Sequence, residues 1–195
     1  MTNSEVKKYN APFEPGNFFH VYNHAIGSEL LFREGENYLF FLQKFSRFLD
    51  PYVSLYSYCL LPNHFHLLIK VSSTFSSREV SEQFRKFLIS YSKAFNKYFS
   101  RRGTLFERHL KRVHVTSDEY LIWLIFYLHR NPVHHRYSTD FRTYPWSSYQ
   151  SLLSNKNTSL KRDEILDLFS GKNEFISFHE RNISDFKAIK NLLLE

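Results

Sequence analysis

The chain has one cysteine in 195 residues, so no disulfide can form within it. Cys59 sits inside an apolar run, which reads as a buried thiol in a reducing compartment. Glycine (5) and proline (6) are also scarce, which excludes collagen-like, proline-rich and flexible-linker architectures. No stretch approaches the roughly 18 uninterrupted apolar residues of a membrane span. The polar opening MTNSEVKKYN lacks the shape of a signal peptide. A soluble, cytoplasmic protein without a membrane partner is therefore expected. Acidic residues are in the minority, 19 against 26 Lys and Arg, for a formal net charge of +7.

Aromatic residues, in contrast, are abundant: Phe 21, Tyr 13 and Trp 2 exceed what a core of this size usually needs. Cations that track phosphates and rings that stack on bases together suit nucleic acid, whereas an ordinary solvated basic surface needs no partner at all. A hydrophobic share of 43% with 23% charged residues supports one folded domain with an appendage.

Periodicity then orders the chain. Residues 1–16, with Pro12, Pro15 and Gly16, read as a loose N-terminal arm. NFFHVYNHAI from Asn17 predicts a strand, and 36–49 predicts an amphipathic helix with Leu39, Leu42, Phe45 and Leu49 inward, stopped by Pro51. VSLYSYCLLPNHFHLLIKV predicts two strands turning at Pro62-Asn63. Residues 80–99 predict a long helix with Phe84, Phe87, Leu88, Tyr91 and Phe95 on one side. A short strand over 109–115 follows. A helix over 120–131 comes next, capped by Ser117-Asp118-Glu119 and ended by Pro132. Strand–helix–strand–strand–helix–strand is the ferredoxin-like βαββαβ plan, an α+β fold on an antiparallel sheet. Beyond it lie an aromatic turn at 144–149 and a helical C-terminal tail over 154–195, with short amphipathic segments at 161–169, 174–179 and 185–194.

Two constellations carry chemistry. His64 and His66 are two apart on a predicted strand, so their imidazoles share a face while Phe65 points the other way. Two such rings can hold one metal, although a His-x-His in a strand is often incidental. Tyr127 and Asn131 are four apart on the next helix, hence on one face. A tyrosine can be a nucleophile and an amide oxygen a third ligand; equally, the pair can be helix packing and a helix end before proline.

Taken together, LPNHFHLLI (61–69) and YLHRNPV (127–133) closely resemble transposases that act through a His-hydrophobe-His motif and one tyrosine, and within them the REP-associated tyrosine transposases. VYNH (21–24), GTLFER (103–108), SDEYL (117–121) and YPWSSY (144–149) strengthen the likeness in family order, over roughly 17–153, the expected catalytic domain. The resemblance implies that His64, His66 and Asn131 bind a divalent metal, Mg²⁺ or Mn²⁺, and that Tyr127 is the catalytic nucleophile. It also implies cleavage and rejoining of single-stranded hairpin DNA through a 5′-phosphotyrosyl link, by a monomer or a homodimer. Where relatives commonly carry a small Ala-Gly pair after Asn-Pro-Val, this chain has His134-His135-Arg136. His109, His114, His129, His134 and His135 read as phosphate contacts or surface residues rather than ligands.

Arg101, Arg102, Arg108, Lys111 and Arg112 lead into the last strand and are the expected DNA contacts; Arg85, Lys86, Lys93 and Lys97 on the long helix either extend that track or form a solvated face. Two other classes fit the same pattern: a non-catalytic nucleic-acid module, and a metal-dependent hydrolase whose nucleophile is water.

Overall fold

The computed structural model describes residues 9–182; the first eight positions of the expected arm and the amphipathic segment at 185–194 lie outside the described residues. Four strands form one sheet: β1 (Phe18–His24), β2 (Val53–Leu61), β3 (His64–Val71) and β4 (Lys111–Val115). Their order is β2-β3-β1-β4 with every neighbour antiparallel, the ferredoxin-like arrangement read from the sequence. Helix α1 (Gly35–Leu49) joins β1 to β2 and α2 (Ser77–Tyr98) joins β3 to β4. Ser76 caps α2 by accepting from the Glu79 amide while Glu79 accepts from the Ser76 amide, so two end donors are satisfied reciprocally.

Strand alternation splits the sheet into two faces. On one, Phe65 meets Phe41 of α1 at 5.0 Å between centroids, and Phe41 meets Phe87 of α2 at 4.8 Å. On the other lies α3 (Asp118–His134), whose first turn is capped by Ser117 accepting from the Tyr120 amide. Three short helices follow: α4 (Tyr149–Leu153), α5 (Arg162–Leu168) and α6 (Lys172–Arg181). The last closes over α3: Phe178 packs on Trp123 and Phe126, and Phe175 on His129.

Three details differ from the sequence reading. Pro132 does not end its helix, which runs on to His134. Proline forgoes one amide donor, yet its φ suits a helix. The stop comes from Arg136, whose φ of 62° is left-handed, with the Tyr137 amide returning to the Pro132 carbonyl at 2.8 Å. On α1 the inward stripe is Tyr38, Phe41, Phe45 and Leu49, while Leu39 is 54% exposed. Tyr38 turns in because Trp146, from a distant segment, stacks on it at 4.3 Å. The apparent surplus of rings is largely absorbed by the core: among the described residues only Tyr98 and Tyr137 are exposed large aromatics.

Candidate metal and nucleophile site

Register brings the first constellation together. Tyr22 of β1 lies opposite His66 of β3, and His24 opposite His64, so His20, Tyr22, His24, His64 and His66 share the face that α3 covers. The rings of His64 and His66 are 5.0 Å apart, His24 stacks on His64 at 4.6 Å, and both residues of the pair are buried. Leu61, Pro62 and Asn63 place the pair at the start of β3, beside the turn.

The second constellation faces the first. Tyr127 meets His66 edge-on at 6.0 Å between centroids, and His135, two turns further along, meets His64 at 4.7 Å. Asn131 lies midway between them on the same helical face, and so is set over the histidine pair. Its Nδ2 donates to the Tyr127 carbonyl, which leaves Oδ1 buried and without a hydrogen bond. Tyr127 itself is 1% exposed, its ring edge-on to both His20 and His66. Tyr120, at the first turn, is only partly buried.

The electrostatics favour ligand lone pairs. Burial holds His64 far below the ordinary histidine range, to about 2, with the charges of His24 and His135 adding to the effect. Burial depresses His66 strongly as well. Both rings are thus neutral at physiological pH. His64 Nδ1 lies 2.7 Å from Asn63 Oδ1, an oxygen that also accepts from the Tyr137 hydroxyl. An amide oxygen can only accept, so the proton is on Nδ1, and Nε2, buried without a hydrogen bond, carries a bare lone pair. His64 Nε2 and Asn131 Oδ1 are therefore buried acceptors with nothing to accept from, as a cation site requires. The donor set of two imidazoles and an amide oxygen suits Mn²⁺ better than Mg²⁺, which prefers oxygen. Among the described residues no three His, Cys, Asp or Glu side chains group as ligands, so the remaining coordination would fall to the amide, water or substrate.

Sequence reasoning missed His20. Its Nε2 is 3.0 Å from His66 Nδ1, both rings buried. The signal was available: His20, Tyr22 and His24 alternate along β1 with the period that puts them on one face.

His129, read as a phosphate contact or surface residue, is fully buried and faces elsewhere. His179 Nδ1 donates to the Phe175 carbonyl at 2.8 Å, so its Nε2 is bare and accepts from His129 Nδ1 at 2.9 Å. His129 Nε2 then accepts a hydroxyl proton from Ser148 (2.9 Å) or Ser57 (3.2 Å). The network links β2, α3, α4's capping residue and α6.

The predicted cations divide by engagement. Arg102 and Arg108 are exposed. Lys111 lies 5.5 Å above the Tyr22 ring, beside Glu107 at 3.8 Å, on the histidine face. Arg101 binds Glu29 and the carbonyls of Gly103 and Thr104, so it braces its own loop. Arg112 donates to the Ala11 carbonyl and covers Phe13, on the opposite face from Lys111. Cys59 is buried, as expected, and burial pushes its thiol well above the usual range. No helix among the described residues is long and apolar enough to cross a membrane.

Neither a protein-family model nor a curated protein sequence matches this chain. A solved structure does: that of a REP-associated tyrosine transposase bound to a REP hairpin, with a TM-score of 0.65 over 75% of this chain and 85% of that one. Identity across the match is 12%, so what the two share is architecture: this chain has the fold of a REP-associated tyrosine transposase.

Proposed function

We propose that the chain is a divalent-metal-dependent nuclease and strand transferase acting on single-stranded DNA that carries a hairpin, with Tyr127 as nucleophile. One observation carries the reading: His66 and His64, the latter with a bare Nε2, lie under the helical face that bears Tyr127 and Asn131. The solved structure of similar fold is a transposase bound to a hairpin, which supports the substrate class.

His64, His66 and Asn131 would hold the ion. Bound there, Mg²⁺ or Mn²⁺ would neutralise charge on the scissile phosphate. The Tyr127 hydroxyl gives up its proton as its oxygen attacks phosphorus; the 3′ oxygen of the upstream nucleotide leaves and takes up a proton, with no net proton consumed. A 5′-phosphotyrosyl link remains, which a later 3′-hydroxyl reverses, so the bond energy is conserved and no nucleotide triphosphate is needed. Arg102, Arg108 and Lys111 are assigned to the DNA backbone, Lys111 from the histidine face itself; Arg101 and Arg112 act on their own chain first. The phosphate enters at the end where His24 is half-buried and His135 exposed, and α3 must yield there for Tyr127 to reach it.

That burial favours a second reading, in which water attacks and no adduct forms. A 3′-labelled hairpin with Mn²⁺ separates the two. The expected result is a denaturant-resistant protein–DNA adduct in the wild type and in Tyr120→Phe, and neither adduct nor cleavage in Tyr127→Phe. Cleavage without adduct supports water, and an adduct surviving in Tyr127→Phe overturns the assignment. Binding without cleavage in either metal leaves a non-catalytic module.

A further inference from the structure

We infer that His20 is a positioning residue whose tautomer decides whether His66 can ligate a divalent cation. The inference rests on His64 and His66 being the ligand pair.

His64 and His66 are prepared for a cation in different ways. An amide oxygen fixes His64: Asn63 Oδ1 can only accept, so Nδ1 bears the proton and Nε2 is open. His66 Nδ1 has a partner that can donate as well as accept. It faces another imidazole, His20 Nε2, at 3.0 Å. Two neutral rings share that bond through one proton, and there are two arrangements. In the first, His66 Nδ1–H donates to His20 Nε2; His66 Nε2 is open, and His20 carries its own proton on Nδ1. In the second, His20 Nε2–H donates to His66 Nδ1, and the His66 proton is on Nε2, where it blocks a metal. The tautomer of one ring dictates that of the other.

The surroundings of His20 do not lock the choice. Its Nδ1 is buried and makes no hydrogen bond, so nothing on that side fixes the proton. Cation binding, which needs the His66 Nε2 lone pair, draws the pair into the first arrangement. The change needs no net proton: one moves within the bond, His66 Nε2 gives one to water and His20 Nδ1 takes one from water. The ring is held for this task. His20 is fully buried, stacks on Tyr22 at 4.8 Å and on His66 at 5.2 Å, and meets Tyr127 edge-on at 6.5 Å. It contacts a predicted ligand and the predicted nucleophile without being either.

The test uses the full chain with ¹⁵N-labelled imidazoles, read by long-range ¹H–¹⁵N correlation without metal and with Mg²⁺ or Zn²⁺, beside Mn²⁺ titrations followed by electron paramagnetic resonance. In the wild type, cation should place protons on Nδ1 of both His20 and His66. His20→Phe keeps a ring but no acceptor, and Mn²⁺ affinity should fall about tenfold or more, the usual cost of losing a ligand's outer partner. His20→Gln, whose Oε1 can accept from His66 Nδ1–H, should recover to within about threefold of the wild type. Circular dichroism reports whether each variant folds; if His20→Phe does not, the His20→Gln spectrum decides, since it should show His66 protonated on Nδ1 without metal. Equal Mn²⁺ affinity in His20→Phe, or a proton on His20 Nε2 in the metal-bound wild type, overturns the inference. A wild type that binds no cation overturns the metal reading instead. In that case the coupling still stands or falls on whether His20→Gln changes the His66 tautomer in the metal-free spectrum.

Discussion

Three consecutive residues of β3 do opposite work because a strand presents alternate side chains to opposite faces. Phe65 is fully buried against Phe41 and Phe106 on the face of α1 and α2. His64 and His66 face α3, and His64 Nε2 contributes no hydrogen bond to the fold. Substitution should therefore separate stability from metal binding. Phe65→Ala removes a large core ring and should cost roughly 3–5 kcal/mol. His64→Ala loses the bond to Asn63 Oδ1 and the stack on His24 but no core ring, and should cost about 1–2 kcal/mol. Saturating Mn²⁺ at about 100 times its Kd should stabilise the wild type by about 2.7 kcal/mol and His64→Ala not at all. Urea unfolding with and without Mn²⁺ measures all three. Equal Mn²⁺ stabilisation of His64→Ala would exclude that residue as a ligand.

At the scale of elements, the strands and the two crossing helices were legible because their apolar periods are strong and local. What stayed hidden depended on partners far along the chain. Nothing near Tyr38 announces Trp146, and without it Leu39 is as good an inward residue. His129 lies two residues from Tyr127, so proximity in sequence suggested a role at the substrate, but Ser57, Ser148 and His179 draw it to the other side of α3. His20 was legible by alternation and was overlooked because its partner lies 46 positions away. The His129–His179 bond joins the tyrosine helix to α6, so the tail over the described residues is part of how α3 is seated. His179→Leu leaves the His129 N–H buried without an acceptor and should cost about 1–3 kcal/mol. Adding His129→Leu removes the stranded donor, while Ser57 and Ser148 keep each other at 2.9 Å. The double variant should be at least about 0.5 kcal/mol more stable than the sum of the single changes predicts. Strict additivity in urea unfolding would show that the two rings are packed but not bonded.

Across the molecule, whose net charge is +7, no Lys, Arg, Asp or Glu among the described residues is buried, while the interior holds histidines kept neutral by burial. Burial lowers His20 to about 3, His64 to about 2 and His179 to about 4, and depresses His66 and His129 strongly. In the unfolded chain each returns to near 6.5. Between these values the unfolded state binds more protons than the folded one, so stability rises with pH. The contribution is complete above about pH 6.5 and is lost as pH falls towards the folded-state values. Going from pH 7 to 5.5, His20, His64 and His179 each cost about 1 kcal/mol, on the order of 3 kcal/mol together, and His66 and His129 act in the same direction. For a chain of this size the three alone correspond to a fall in Tm of roughly 6–12 °C. Thermal melts in chelator at pH 7, 6 and 5.5 read it directly. Mn²⁺ should shift the loss to lower pH, since a held imidazole cannot take a proton at the same nitrogen. A Tm that stays level down to pH 5.5 would mean that these rings are hydrated or already protonated in the folded chain. The bare His64 Nε2 on which the ligand assignment depends would then be lost with them.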